Sequence, residues 1–310
     1  MKYPRLIVVL SVVGICLGLH LDKVNAAVSN SEISVAPFLQ EVQIDNNAPK
    51  NFNVGYSNDS NESQDLVLSV VDFGSLDKTG GVAFVGSNFG KLQDKYGLSK
   101  WLTLSENQIT LLPHEKKQVQ AIIVSDPAMS PGGHYAAIVA TVLKPSSGSK
   151  NEVSLKQKIS SLVFATKTGG EKYDIKLSNI DSDRSLLHLP AEADITIQST
   201  GNVHVVPRGN VYLKDSSGAV LSKGVINEES GYVLPDTSRV FTVKLNKISS
   251  PKPWVSSFNM QVDYRYDGID QYATKSTSFK TINPVLILLI VASFGFIFVI
   301  IKIVSNRFKK

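Results

Sequence analysis

The sequence predicts an all-β fold, two tandem immunoglobulin-like β-sandwiches followed by one C-terminal transmembrane helix. Between residues 27 and 281 the apolar residues fall in short segments rich in Val, Ile, Phe and Tyr, separated by Gly, Pro, Asn, Asp and Ser. No stretch in that region holds a sustained 3.6-residue apolar period, which excludes long amphipathic helices. A single long apolar run, 284–304, closes the chain.

The N-terminus comes first. Lys2 and Arg5 precede an apolar run from Leu6 to Leu19 and the small-residue sequence Val24-Asn25-Ala26-Ala27. That order is a secretory signal peptide, 1–26, with cleavage expected after Ala26. An uncleaved anchor is the alternative, and Gly14 and Gly18 weaken it. The one cysteine, Cys16, lies inside this segment behind Ile15, where a lipoprotein signal would place a small residue, so it reads as an ordinary apolar side chain. The exported part therefore carries no disulfide and must be held by core burial.

The first sandwich is expected over 27–167. Its strands are Phe52 to Tyr56, Leu66 to Val71, Lys117 to Val124, Tyr135 to Leu143 and Val153 to Phe164. Val119, Ala121 and Ile123 alternate with Gln118 and Gln120 as in a half-buried strand. Thr166-Lys167-Thr168-Gly169-Gly170 marks the boundary. The second sandwich, 168–281, takes Tyr173 to Leu177, Ala193 to Gln198, Val203 to Val206, Asn210 to Lys214, Val240 to Leu245 and Phe258 to Tyr266. Any helix in the outer part should be a single turn in the insertion 87–99 of the first sandwich.

The run 284–304 is long enough to cross a hydrocarbon core of about 30 Å at 1.5 Å per residue. Its one charge, Lys302, sits near the end, and Arg307, Lys309 and Lys310 follow. The positive flank predicts a cytoplasmic basic tail, 305–310, and extracytoplasmic sandwiches in a single-pass cell-membrane protein. A buried core helix is the alternative.

Charge excludes one class of partner. The net charge is +5, but setting aside Lys2, Arg5, Lys23, Asp22, Lys302, Arg307, Lys309 and Lys310 leaves 25 basic and 26 acidic residues in the outer part. That balance lacks the basic footprint that phosphate binding needs, so no nucleic-acid partner is expected.

Catalytic sets are missing from the sequence. His114, His134, His188 and His204 have no metal-ligand spacing and no cysteines beside them. The serines cluster in turn sequences such as Ser146-Ser147-Gly148-Ser149 and Ser216-Ser217-Gly218, without a nucleophile elbow. Asp72-Phe73-Gly74 matches a kinase triplet but lacks its companion motifs. Asp181-Ser182-Asp183 could begin a calcium loop, yet the remaining ligands do not follow. No enzyme activity, metal or other cofactor is expected. Asn58-Asp59-Ser60 and Asn61-Glu62-Ser63 fit the N-glycosylation pattern. Trp101, Trp254 and the pair His134-Tyr135 are candidate ligand-binding groups, because rigid aromatics anchor glycans and proteins. The competing reading has the tryptophans plugging the ends of the sandwich cores.

The segment Trp101-Leu102, Leu111-Leu112-Pro113, Lys117 to Val124 and Asp126-Pro127-Ala128-Met129-Ser130-Pro131-Gly132-Gly133-His134-Tyr135 resembles the first ectodomain of WxL-interacting (DUF916-like) bacterial cell-surface proteins. The layout of signal peptide, two immunoglobulin-like domains, membrane helix and basic tail is similar too. Physically, Pro131-Gly132-Gly133 is a reversal that needs positive φ, and the stretch Thr200 to Gly209, followed by Asn227 and Val233 to Arg239, reads as a hairpin and a Pro-initiated strand. The resemblance implies a first domain that binds peptidoglycan and a second that binds a partner protein or host surface. On these grounds the chain is expected to be a non-catalytic, membrane-anchored envelope protein attaching to cell-wall polymer or a partner surface protein. The alternative is a periplasmic-chaperone-like assembly factor that works by β-strand addition at an exposed sandwich edge.

Overall fold

The structure, a computed structural model, describes residues 32–45, 48–84, 95–143, 157–183, 188–252, 256–282 and 284–307. The expected signal peptide, Cys16, Trp254, the cluster 146–149 and the start of the strand expected from Val153 lie outside them.

Ten strands form the first unit: β1 (Ile33–Ala36), β2 (Leu39–Ile44), β3 (Lys50–Asn58), β4 (Gln64–Ser75), β5 (Val82–Phe84), β6 (Leu102–Leu104), β7 (Gln108–Leu111), β8 (Lys116–Ile123), β9 (Gly132–Leu143) and β10 (Lys158–Lys167). One sheet runs β1-β3-β8-β6 and the other β2-β10-β9-β4, with β5 and β7 also paired to β4. The period-2 pattern of each strand sends one row of side chains into a shared core that includes Ile33, Val54, Leu66, Val119, Ile123 and Ile138. The chain changes sheets between β1 and β2, through the cis Ala36–Pro37 bond.

Eight strands form the second unit: β11 (Ile175–Ser182), β12 (Glu192–Ser199), β13 (Pro207–Asp215), β14 (Val220–Ile226), β15 (Ser238–Lys244), β16 (Asn246–Lys247), β17 (Ser257–Tyr266) and β18 (Ala273–Lys280). They make a β11-β12-β15 sheet and a β16-β14-β13-β17-β18 sheet over a core of Leu177, Ile195, Val211, Ile226, Val243 and Val262. The turn between β10 and β11 contains Gly169 and Gly170, both at positive φ.

Two expectations change. Val203 to Val206 is not a strand, and Thr200 to Gly209 is not a hairpin, since β12 pairs with β15 and not with β13. Val205 makes only an isolated bridge to Val233, because the backbone around it bonds the first unit instead: the Gly133 N–H donates to the Asn202 carbonyl at 2.8 Å, and the His204 N–H donates to the Tyr135 hydroxyl at 3.0 Å.

The second correction concerns the membrane. The stretch 284–304 does fold as a helix, α1 (Pro284–Arg307). Among the described residues, however, no helix is long and apolar enough to cross a membrane. The expected single-pass cell-membrane topology, with its transmembrane segment and cytoplasmic tail, is overturned on that ground.

Candidate functional site

Strand alternation gives the β2-β10-β9-β4 sheet a second apolar face. Val163, Ala165, Ala136 and Ile138 point into the sandwich core, so Leu162, Phe164, Tyr135, Ala137 and Val139 point outward. Register joins them into rows: Leu39, Leu162, Ala137 and Val71 form one, with Phe164 beside Tyr135 in the next.

The second unit covers the aromatic end of this face. Phe164 meets Tyr232 edge-on with ring centroids 4.9 Å apart, and the His204 ring lies 4.9 Å from Phe164 and 5.7 Å from Tyr135. The Tyr135 hydroxyl is 3.2 Å from His204 Nδ1 and accepts the His204 N–H, so its oxygen is satisfied although the ring is buried. Burial pushes its pKa well above the ordinary phenol value.

Around the rings lie polar ties. The Tyr232 hydroxyl donates to Glu41 at 2.7 Å, and His204 Nε2 is 3.8 Å from the same carboxylate. The imidazole lowers the Glu41 pKa most, with the Tyr232 hydroxyl helping, to about 2 against an ordinary value near 4.5. At 3.8 Å the contact is longer than a short hydrogen bond. The Tyr96 hydroxyl and Lys95 both reach Asp236, at 2.7 and 2.8 Å. The Val240 N–H donates to the Lys78 carbonyl at 2.7 Å. Gly132, at φ +116°, has no room for a Cβ, which would stand 2.8 Å from the Asn202 carbonyl oxygen. The two sandwiches are joined by apolar contact, by hydrogen bonds between side chains and by hydrogen bonds between backbones.

Beyond the covered end, β10 has an open side. It pairs with β9 along its whole length, Lys158 to Lys167. The parallel pairing with β2 begins only at Leu162. The Gln157 carbonyl accepts from Val142 on β9, and the Leu162 N–H donates to the Phe38 carbonyl on the other side. By antiparallel alternation, Lys158 and Ser160 therefore turn their N–H and C=O groups away from β9, where they have no ladder partner among the described residues. Apolar side chains stand beside this gap: Phe38 is 70 % exposed, and Leu39, Leu162 and Val139 form the adjoining outer face.

The residues proposed from sequence sit elsewhere. Trp101 is 9 % exposed, His134 1 % and Tyr135 1 %. Trp101 plugs the first core and meets the His134 ring edge-on at 5.3 Å. His134 lies between the Ser130 and Gly97 carbonyls, at 2.8 and 3.2 Å, and burial lowers its pKa. Tyr135 belongs to the corner. None of the three presents a binding face to solvent. Asp72 accepts from the Leu98 and Ser99 N–H groups and from the Ser99 hydroxyl, which fixes the 3-10 turn Ser99–Trp101 and accounts for the kinase-like triplet. Asn58 is fully buried, its amide donating to the Glu62, Leu111 and Leu112 carbonyls, so it is closed to a glycan. Among the described residues no group of three or more His, Cys, Asp or Glu could hold a metal.

Glu41, His204 and Tyr232 were missed as a set because they are far apart in sequence, although His204 lies within the Thr200 to Gly209 stretch. The one signal for them was the Asn202 to Arg208 stretch, polar and proline-ended inside an otherwise alternating region.

No protein-family model and no curated protein matches this sequence. Among solved structures, the class 5 fimbriae chaperone CfaA aligns at 14 % identity and TM-score 0.41, covering 81 % of this chain and 99 % of its own. A chaperone–tip adhesin complex of CFA/I fimbriae biogenesis aligns at 13 % identity and TM-score 0.43, with the same coverage. The E. coli chaperone DraB aligns at 10 % identity and TM-score 0.37, covering 80 % of this chain and 96 % of its own. Identities and scores of this size establish neither a family nor a function.

Proposed function

We propose that this chain is a non-catalytic assembly factor that holds an extended segment of a client surface protein by β-strand addition to the open half of β10. The observation that carries this is the uneven pairing of β10, complete against β9 but starting only at Leu162 against β2. An added strand would bond the outward groups of Lys158 and Ser160 and lay its apolar side chains beside Phe38, Leu39 and Leu162. The corner supports this role by tying the second sandwich to the outer face of the same sheet that carries β10. The wall-polymer reading would need Trp101, His134 and Tyr135 at the surface, and all three are interior.

The test uses a fluorescent peptide of alternating Val and Thr and the variant Ser160→Pro, which removes one outward N–H and leaves the β9 ladder intact. Saturable binding by the native chain, protection of the bound peptide from protease, and loss of both in Ser160→Pro are expected. Equal binding by the variant would refute strand addition at β10.

A further inference from the structure

We infer that the outer face of the second sandwich carries a saccharide site, a bowl that takes one pyranose unit of an oligosaccharide against the ring of Tyr272. Val211 and Leu213 of β13 point into the core, so Arg208, Asn210 and Tyr212 point outward. Register sets Asn210 beside Val225 on β14, and Arg208 beside Arg265 on β17. Glu228, after β14, and Tyr272, before β18, complete a bowl of about 430 Å³. That is within the size range of small-molecule sites.

Tyr272 is the platform. It is 47 % exposed, and the Arg265 guanidinium lies 5.4 Å from its ring centroid. Arg265 is itself held in place, its Nη1 donating to the Ile269 carbonyl at 2.6 Å and to the Tyr266 carbonyl at 3.4 Å. Val225, 46 % exposed, adds an apolar wall. Between them stand polar groups with unused capacity. Among the described residues the Asn210 amide and the Glu228 carboxylate make no side-chain hydrogen bond. The Asp263 carboxylate, opposite Asn210, accepts from Gln261 and Thr274 instead, both at 2.8 Å.

A pyranose is the occupant these groups fit. Its C–H face stacks on an aromatic ring, and each of its hydroxyls both donates and accepts. A primary amide, a guanidinium and a carboxylate in one bowl meet that mixture. A peptide strand cannot add here, because β13 is laddered on both sides, to β14 and to β17, and offers no free backbone. A polyanion fits poorly as well. Arg208 is paired with Asp267 at 3.0 Å, and Glu228 opposes the charge of Arg265. This inference does not rest on the β10 site, and either can fail without the other.

The experiment titrates the full chain with cellotetraose, maltotetraose and tetra-N-acetylchitotetraose, read by amide chemical shifts. At least one of the three should bind saturably and shift Asn210, Val225 and Tyr272. Tyr272→Ala and Asn210→Ala should each weaken that binding about tenfold or more at an unchanged melting temperature. Tyr272→Phe keeps the ring and should bind within about twofold of the native chain. Saturation by none of the three sugars, shifts confined to other residues, or native affinity in Tyr272→Ala would each overturn the inference.

Discussion

β10 and β18 both leave backbone groups open at a sheet edge, and the difference between them shows what turns an edge into a site. Among the described residues β18 pairs only with β17, and its sequence, Ala-Thr-Lys-Ser-Thr-Ser-Phe-Lys, is polar and exposed on most positions. Lys275 reaches across to the Leu177 carbonyl at 3.1 Å. That is how proteins blunt an edge, with short hydroxyl side chains and lysines that give an incoming strand nothing apolar to cover. The open half of β10 carries Lys158 and Ser160 too, but Ile159 packs against the first core and Leu162, Leu39 and Val139 form an outer apolar face. Unpaired backbone is common to both, and only β10 adds an apolar face beside the gap.

The largest expected effect lies in the corner that holds the β10 face. Tyr135→Ala removes a fully buried ring packed on Phe73, Phe164 and His204 and should cost about 3–5 kcal/mol in denaturant unfolding. A cost under about 1 kcal/mol would show that the two sandwiches are not held through this face. Tyr135→Phe keeps the ring but strands the His204 N–H, and should cost about 1–3 kcal/mol.

The two edges can then be set against each other directly. By the pairing of β18 with β17, and the bond from the Thr281 N–H to the Ser256 carbonyl, Ser276 faces outward on β18 as Ser160 does on β10. Ser160→Pro and Ser276→Pro should each change stability by about 1 kcal/mol or less, and only the first should abolish binding of the Val/Thr peptide. Loss of binding in both would erase the distinction drawn here.

The smallest effect is electrostatic. Glu41 is held at about 2, below its ordinary value near 4.5, by His204 and the Tyr232 hydroxyl. A depressed carboxylate stabilises the fold fully above the unfolded value, and this contribution is lost as pH falls from about 4.5 towards 2. Glu41→Gln should therefore flatten the fall in melting temperature across that window and leave the curve at pH 7 parallel to the native one. An unchanged acid limb would remove Glu41 from the account of the corner.

Much of the strand content was legible, because half-buried strands write their period into the sequence. Val119, Ala121 and Ile123 do so in β8 and Phe258, Met260 and Val262 in β17, whereas β9 reads as a continuous apolar run because it is buried on both faces. Short or polar strands were not. β1 and β2 are short and pair with segments distant in sequence, β16 is two residues long, and β18 is mostly polar. The candidate residues failed for a related reason. Trp101, His134 and Tyr135 look like surface anchors beside a Gly-Gly turn, but that turn faces the second sandwich, which the sequence could not place. Open edges are invisible in sequence altogether, since a strand does not encode which of its two sides is left unpaired.

The most direct measurement is amide hydrogen exchange at Lys158 and Ser160, in the free chain and with the Val/Thr peptide bound. Fast exchange of both in the free chain, with protection on binding, is the predicted result. Protection in the free chain equal to that of Val163, deep in the same strand, would mean the edge is already paired and would contradict strand addition at β10.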